Sequence, residues 1–463
     1  MGVGDVRFFV RSGMESLHRK CYQKLLEWKN SSQSSKAILI NGARRVGKSY
    51  LAEEFARNEY KSYILIDFSS VDESVFSLFE RFGNKMRIDE FFNQLSVIFS
   101  VKLHRHDSAI IFDEVQKFPK AREFIKQLVA DDRYDYIETG SLIGLKKNVE
   151  NIVLPSEEEQ MNLYPLDFEE FLWALGDEVT VPYLRDCLES KKPLGNLLKT
   201  VNEKLRMYMI IGGMPQSVVA YLKEKKYDDA EKAKQKILTL YREDIAKYAG
   251  NYTAEARAVF DAIPAMLSHH DKKVKFSSLG LGDRFSVAFA NAVFWLKESM
   301  VVNLSYCIEE PALFDGFALD SSRVKCYMGD TGLLLSLAAG KNYITNELYK
   351  SFVLGKLSVN KGMMTENIIA QMLSASNHPL RFYEKIVTEK GKKHKYELDF
   401  LLKKTNKLLA LEVKSGNCKE HASLDYFSSH YRKETSKPFI LTKGDFKETD
   451  DYVFMPLVMA MFL

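Results

Sequence analysis

The eight residues Gly42-Ala-Arg-Arg-Val-Gly-Lys-Ser49 constrain this chain more than any other stretch. Two glycines five positions apart, followed at once by a lysine and a hydroxyl residue, sit between the apolar run Ala37 to Ile40 and a helix-favouring segment, Gly47 to Asn58. In a strand, loop, helix setting such a loop wraps backbone N–H groups around a phosphate chain. The glycines permit close approach, the lysine neutralises charge on the β and γ groups, and the hydroxyl reaches a magnesium ion. The spacing therefore predicts a nucleotide site built from Gly42, Ala43, Arg44, Arg45, Val46, Gly47, Lys48 and Ser49, with ATP and Mg2+ as ligands.

The surrounding pattern suits that loop. Tyr63 to Phe68, Ser108 to Phe112 and Tyr134 to Glu138 read as further strands with helical stretches between them, and strands alternating with helices argue for a parallel α/β sheet. The run Ala109-Ile-Ile-Phe-Asp-Glu114 delivers Asp113 to a strand end as a metal-organising carboxylate and Glu114 beside it as the group that polarises water. Thr139-Gly140-Ser141 follows the next strand and places a hydroxyl, that of Ser141, near the γ phosphate or the attacking water. Charge developing in phosphoryl transfer also calls for an arginine, for which Arg44, Arg45 and Arg242 are the candidates.

At 463 residues the chain is too long for one core, and ordinary domain sizes suggest roughly three. With 46% hydrophobic and 28% charged residues it reads as globular. Its longest apolar stretches, Leu333 to Ala339 and Val453 to Leu463, are far shorter than the ~20 residues that cross a bilayer, so no membrane partner is expected. The N-terminus lacks the apolar segment and cleavage site of a secretory leader. Five scattered cysteines suggest reduced thiols and a cytoplasmic setting. A net charge of +4 is too small to imply nucleic-acid binding by the whole chain.

Beyond the nucleotide core, assigned to residues 1–160, residues 161–250 read as a helical lid, broken at Lys192 to Gly195 and Gly212 to Pro215. Residues 251–325 offer helices followed by the apolar run Met300 to Cys307, the outline of a winged helix. Residues 326–463 read as a mixed α/β domain: a helix from about Met363 to Ser374, then strands at Arg381 to Thr388, Tyr396 to Lys403 and Leu408 to Val413. Within it, alternation along a strand puts Glu412 and Lys414 on one face, where Asp399 on a neighbouring strand can meet them. Two carboxylates and a lysine in such a group bind Mg2+ and activate water for phosphodiester attack.

GARRVGKS, IIFDEVQKFP, the TGS at 139–141, LYPLDFEEFL at 163–172 and IGGMP at 211–215 together resemble a bacterial and archaeal family of AAA-type ATPases that carry an uncharacterised C-terminal domain. The resemblance implies an ATP-binding core in which Lys48, Ser49, Asp113 and Glu114 take the roles just derived. With Glu366 on the preceding helix, Asp399 and the Glu412-Val-Lys414 strand also resemble the PD-(D/E)xK nuclease fold, although Leu398 stands where that motif has a proline.

Residues 381–420 contain eleven Lys or Arg against six Asp or Glu, concentrated at Lys390 to Lys395, which suits a phosphate backbone and equally a solvated hairpin tip. Three functions are compatible with these features. The first is an ATPase whose nucleotide state drives the remaining domains and acts on DNA. The second is an ATP-controlled, Mg2+-dependent endonuclease using Glu366, Asp399, Glu412 and Lys414. The third is a nucleotide-dependent scaffold with little turnover. ATP, DNA and further copies of the chain are the partners these readings admit.

Overall fold

A computed structural model describes residues 17–32, 35–83, 86–142, 156–269, 272–273, 287–311, 319–340, 346–355, 361–389, 391–416 and 421–463. Met14, Lys390 and Cys418 lie outside the described residues. The described residues divide into two compact units, one within 18–164 with 298–300, the other within 165–297 and 301–463.

The first unit runs α1 (Lys20–Ser32), β1 (Ala37–Gly42), α2 (Lys48–Glu59), β2 (Ser62–Asp67), α3 (Glu73–Gly83), α4 (Ile88–Phe99), β3 (Ser108–Asp113), α5 (Ile125–Ala130), β4 (Asp135–Gly140) and β5 (Glu158–Leu163). Its strands form one sheet in the order β2-β3-β4-β1-β5, every pairing parallel. A parallel sheet covered on both faces needs strands that are apolar on both sides. In β1, accordingly, Leu39 joins one hydrophobic cluster with Ile66, Phe79, Phe91 and Phe112, while Ile38 and Ile40 join another with Leu25, Trp28, Leu51 and Phe55. Glu158-Glu-Gln-Met-Asn-Leu163 is the fifth strand, at the sheet edge, where its polar side chains stay in or near solvent.

Register brings the strand ends level. Asp67 faces Asp113 across β2 and β3, Phe112 faces Glu138, Asn41 faces Gly140, and Gly42 faces Leu163. The carboxyl ends of five parallel strands thus form one rim, with the sheet order crossing over at β1, where open α/β sheets bind ligands.

The second unit begins with α6 (Phe168–Ala174), α7 (Thr180–Glu189), α8 (Leu198–Ile211), α9 (Pro215–Glu224), α10 (Tyr227–Tyr248), α11 (Thr253–Ser268) and α12 (Val287–Glu298). It continues with β6 (Val302–Ile308), β7 (Leu319–Met328), α13 (Thr331–Ala339), α14 (Asn346–Val353), α15 (Lys361–Ala375), β8 (Arg381–Glu389), β9 (Lys392–Leu398), β10 (Phe400–Lys404), β11 (Lys407–Val413), α16 (Ala422–His430), β12 (Phe439–Thr442), β13 (Lys447–Glu448) and β14 (Val453–Pro456). Two sheets result, β7-β6-β8-β9 and β10-β11-β12-β14-β13. The apolar run that sequence suggests as part of a winged helix is β6, paired antiparallel to β7 and parallel to β8, so it sits inside a sheet shared with the C-terminal segment. The single strand expected over Tyr396 to Lys403 is interrupted at Asp399, where the chain leaves one sheet and enters the other.

The IGGMP and LYPL motifs meet in this unit. Gly212 has φ 79°, and a Cβ on Gly213 would lie 2.1 Å from the Leu166 carbonyl oxygen. Gly213 N–H donates to Asp330 Oδ2 at 2.6 Å, Leu166 N–H donates to the Gly213 carbonyl at 2.7 Å, and Asp330 Oδ1 caps α13 through Leu333 N–H at 2.9 Å. These glycines are required by backbone crossing backbone.

Candidate functional site

The loop between β1 and α2 has the form that its spacing predicts. Gly42 cannot carry a side chain because a Cβ would stand 2.5 Å from the Leu163 carbonyl oxygen, and Gly47, at φ 98°, opens α2 from the left-handed region. Arg45 also has positive φ, at 70°, and its side chain is exposed. Buried Arg19 donates to the Val46 carbonyl at 3.2 Å and the Tyr164 carbonyl at 2.7 Å, fixing the loop to the end of β5. Lys48 is buried, its Nζ 3.0 Å from the carbonyl oxygens of Gly42 and Ala43. Those bonds keep a desolvated ammonium satisfied over the loop it would leave to meet a phosphate.

Three strand ends converge beside it. Ser49 Oγ donates to Asp113 Oδ1 at 2.7 Å, and Thr139 Oγ1 donates to the same oxygen. Burial pushes the Asp113 carboxyl up, as do the negative charges of Glu114 and Asp67, while its two hydroxyl partners pull the other way. A carboxylate that is buried, crowded by other acids and bonded to a helix-start serine suits a cation: the charge cost that raises its pKa is what a metal would relieve. Ser49 and Asp113 are thus the residues that would hold Mg2+.

Glu114 stands in the left-handed region at φ 54°, a conformation that costs a non-glycine residue on the order of 1 kcal/mol. Gln116 Nε2 donates to Glu114 Oε2 and contacts Ser141 Oγ at 3.4 Å, and Ser141 N–H points to Gln116 Oε1 at 3.3 Å. Glu114 and Ser141 are therefore joined through Gln116, while the hydroxyl that reaches Asp113 is that of Thr139. Two residues that sequence reasoning passed over belong to this rim. Gln116 was hidden because nothing in its spacing separates it from the turn around it. Asp67 had a legible signal: it ends the apolar run Ile64-Leu-Ile, as Asp113 ends its own. Its carboxylate is held below the ordinary range because hydrogen bonds from Ser69 and Ser70 outweigh its burial.

Of the arginine candidates, Arg44 and Arg45 lie on the loop itself. Arg242 belongs to α10 in the other unit and is paired with Asp261 at 2.9 Å.

The second constellation does come together. Glu366 on α15, Asp399 at the junction of β9 and β10, and Glu412 with Lys414 at the end of β11 surround one place in the second unit. Asp399 Oδ2 accepts from Val413 N–H at 2.8 Å, and Lys414 Nζ lies 2.7 Å from Glu412 Oε1. The groups between them carry no motif in the sequence. Lys325 of β7 has its Nζ 3.3 Å from Glu366, 2.8 Å from Glu397 and 3.8 Å from Asp399. Lys272 and the Tyr327 hydroxyl also bond to Glu366. Burial pushes the Glu366 carboxyl up, but the two ammonium groups outweigh it and bring it down to about 2. Asp399 goes the other way, to about 7, because of burial and the charge of Glu366. Among the described residues no group of three or more His, Cys, Asp or Glu side chains is placed to hold a metal ion. None of the described helices is long and apolar enough to cross a membrane.

Residues 34–172 match a family described as an AAA domain. Residues 202–343 and 361–459 match two domains of unknown function, DUF8612 and DUF4143. No curated protein matches the chain. Among solved structures, a Walker-type ATPase of Pyrococcus abyssi is 16% identical with a TM-score of 0.42, over 72% of this chain and 99% of that one. The Orc1 protein of Aeropyrum pernix in complex with DNA is 14% identical with a TM-score of 0.28, over 71% and 94%. The Drosophila origin recognition complex bound to DNA is 14% identical with a TM-score of 0.29, over 74% and 97%.

Proposed function

We propose that this protein, an ATPase with an AAA-type P-loop domain, hydrolyses Mg-ATP and uses the cycle as a switch that acts on DNA. The observation that carries the reading is the bonding of Ser49 and Thr139 to one oxygen of Asp113, with Lys48 over the loop and Glu114 beside it. In this scheme the loop amides and Lys48 bind the phosphates. Mg2+ held by Ser49 and Asp113 would supply positive charge to the β and γ oxygens. Glu114 orients a water for in-line attack and takes up its proton, and Gln116 sets where that carboxylate rests. Residues 161–250, 251–325 and 326–463 would form the lid, the winged-helix-like segment and the C-terminal nuclease-like domain, with 161–164 and 298–300 belonging to the first unit.

DNA is supported by the lysines of β9. Lys392, Lys393 and His394 are exposed on a hairpin, and Lys395 is paired with Glu397 at 2.7 Å. The endonuclease reading rests on the meeting of Glu366, Asp399, Glu412 and Lys414, but the ammonium groups of Lys325 and Lys272 already lie among those carboxylates, so we favour the switch. The expected result is that duplex DNA raises the ATPase rate and binds with an affinity that falls steeply with salt, and that Lys392→Glu with Lys393→Glu weakens both. Failure of DNA to bind or to stimulate turnover at low salt would overturn the DNA assignment and leave the ATPase intact.

A further inference from the structure

The C-terminal carboxylates have a resident counter-ion. Lys325 is fully buried and stands in the middle of β7, opposite Ser305 of β6. A buried ammonium carries a cost of several kcal/mol unless it is paired and hydrogen-bonded. Three acids from three other parts of the chain turn toward it: Glu366 from α15, Glu397 from β9, and Asp399 from the break between β9 and β10. Burial pulls Lys325 toward the neutral form, yet Glu366, Glu397 and Asp399 together hold it charged. Lys272 adds a second ammonium at Glu366, and Lys395 a third at Glu397.

The two sides of this cluster differ. Glu366 is 2% exposed and forms its floor with Lys325 and Tyr327. Asp399, Glu397 and Lys414 are 17%, 20% and 26% exposed and form the open edge. A divalent ion that used the floor and the edge together would have to lie between Glu366 and Asp399, and Lys325 Nζ occupies that position at 3.3 and 3.8 Å from the two. Glu412 is also engaged, by Lys414 at 2.7 Å, and one oxygen of Asp399 is taken by Val413 N–H. Mg2+ demands near-octahedral oxygen coordination at short distances and tolerates no ammonium in its shell.

We propose that Lys325 takes the place of a metal ion in the C-terminal carboxylate cluster, so that this segment folds around an internal ion network and performs no metal-dependent phosphodiester cleavage. The inference does not depend on the assignment of DNA as partner. It makes Lys325 the lock on this site: without its ammonium the place between Glu366 and Asp399 would be open to a cation, while Lys272 stays paired with Glu366 and Lys395 with Glu397.

The test is calorimetric titration of Mn2+ into the full-length, nucleotide-free protein, with Asp399→Asn as the control that localises any binding to this cluster. Wild type is expected to show no saturable Mn2+ binding that Asp399→Asn removes. Lys325→Met, close in size and without charge, is expected to gain such binding, to gain thermal stability on adding Mn2+, and to lose both in the Lys325→Met, Asp399→Asn double variant. Saturable Mn2+ binding by wild type that Asp399→Asn abolishes overturns the proposal. So does a folded Lys325→Met protein that takes up no Mn2+. Should Lys325→Met fail to fold, the comparison of wild type with Asp399→Asn still decides whether the cluster is a metal site.

Discussion

At the scale of single residues, the interior of the sheet carries a charge problem that the nucleotide site does not need. Glu138 is fully buried on β4, one residue before Thr139, and burial together with the Glu158 carboxylate pushes its pKa far up, against a smaller pull from Arg122. Arg122 is already committed to Glu158, which it grips through two nitrogens at 2.8 to 3.2 Å. The raised folded pKa of Glu138 fixes the sign of its effect on stability. Its contribution is most favourable below the ordinary carboxylate value and is lost as pH rises toward the folded value. Glu138→Gln should raise the melting temperature, and by more near pH 8 than near pH 5. A lower melting temperature near pH 8 than wild type would contradict this. Residue roles were legible wherever a backbone demand fixed the residue type: Gly42 and Gly47 in the loop, and Asp113 at a strand end. They were hidden where a side chain far away in sequence supplies the partner, as Lys325 and Lys272 do for Glu366.

At the scale of elements, the motifs outside the nucleotide loop are explained by contact. The break at Gly212 to Pro215 is visible in the sequence as a helix end before a proline, but its cause is not. Leu166 and Asp330, 47 residues before and 117 residues after Gly213, press against its backbone from two directions. Gly213→Ala places a Cβ 2.1 Å from the Leu166 carbonyl oxygen, so two backbone segments must separate. The expected loss is about 3 kcal/mol, read as a lower urea midpoint, whereas a loss under ~0.5 kcal/mol would mean that the crossing relaxes freely. The strands that sequence resolved, β1 to β4, are apolar on both faces because both faces are covered. The strand it missed, Glu158–Leu163, pairs only with β1 and reads as a polar loop. Asp399 likewise interrupts what reads as one strand, since the passage between two sheets is set by tertiary packing and leaves no periodic trace.

At the scale of the whole molecule, each unit has its own chemistry. In residues 18–164 the parallel sheet brings Lys48, Ser49, Asp113, Glu114 and Thr139 to one rim. In the other unit Glu366, Glu397 and Glu412 are paired with lysines of the same unit. Turnover is thus proposed for the first unit, with Glu114 as the base and Asp113 and Ser49 as the residues that would hold the ion. The most direct measurement is steady-state ATP hydrolysis alongside equilibrium ATP binding for wild type and Glu114→Gln. For Glu114→Gln, ATP affinity is expected to be unchanged and the turnover rate reduced about 100-fold or more, the usual contribution of a positioned general base. Turnover by Glu114→Gln within a few-fold of wild type would contradict it.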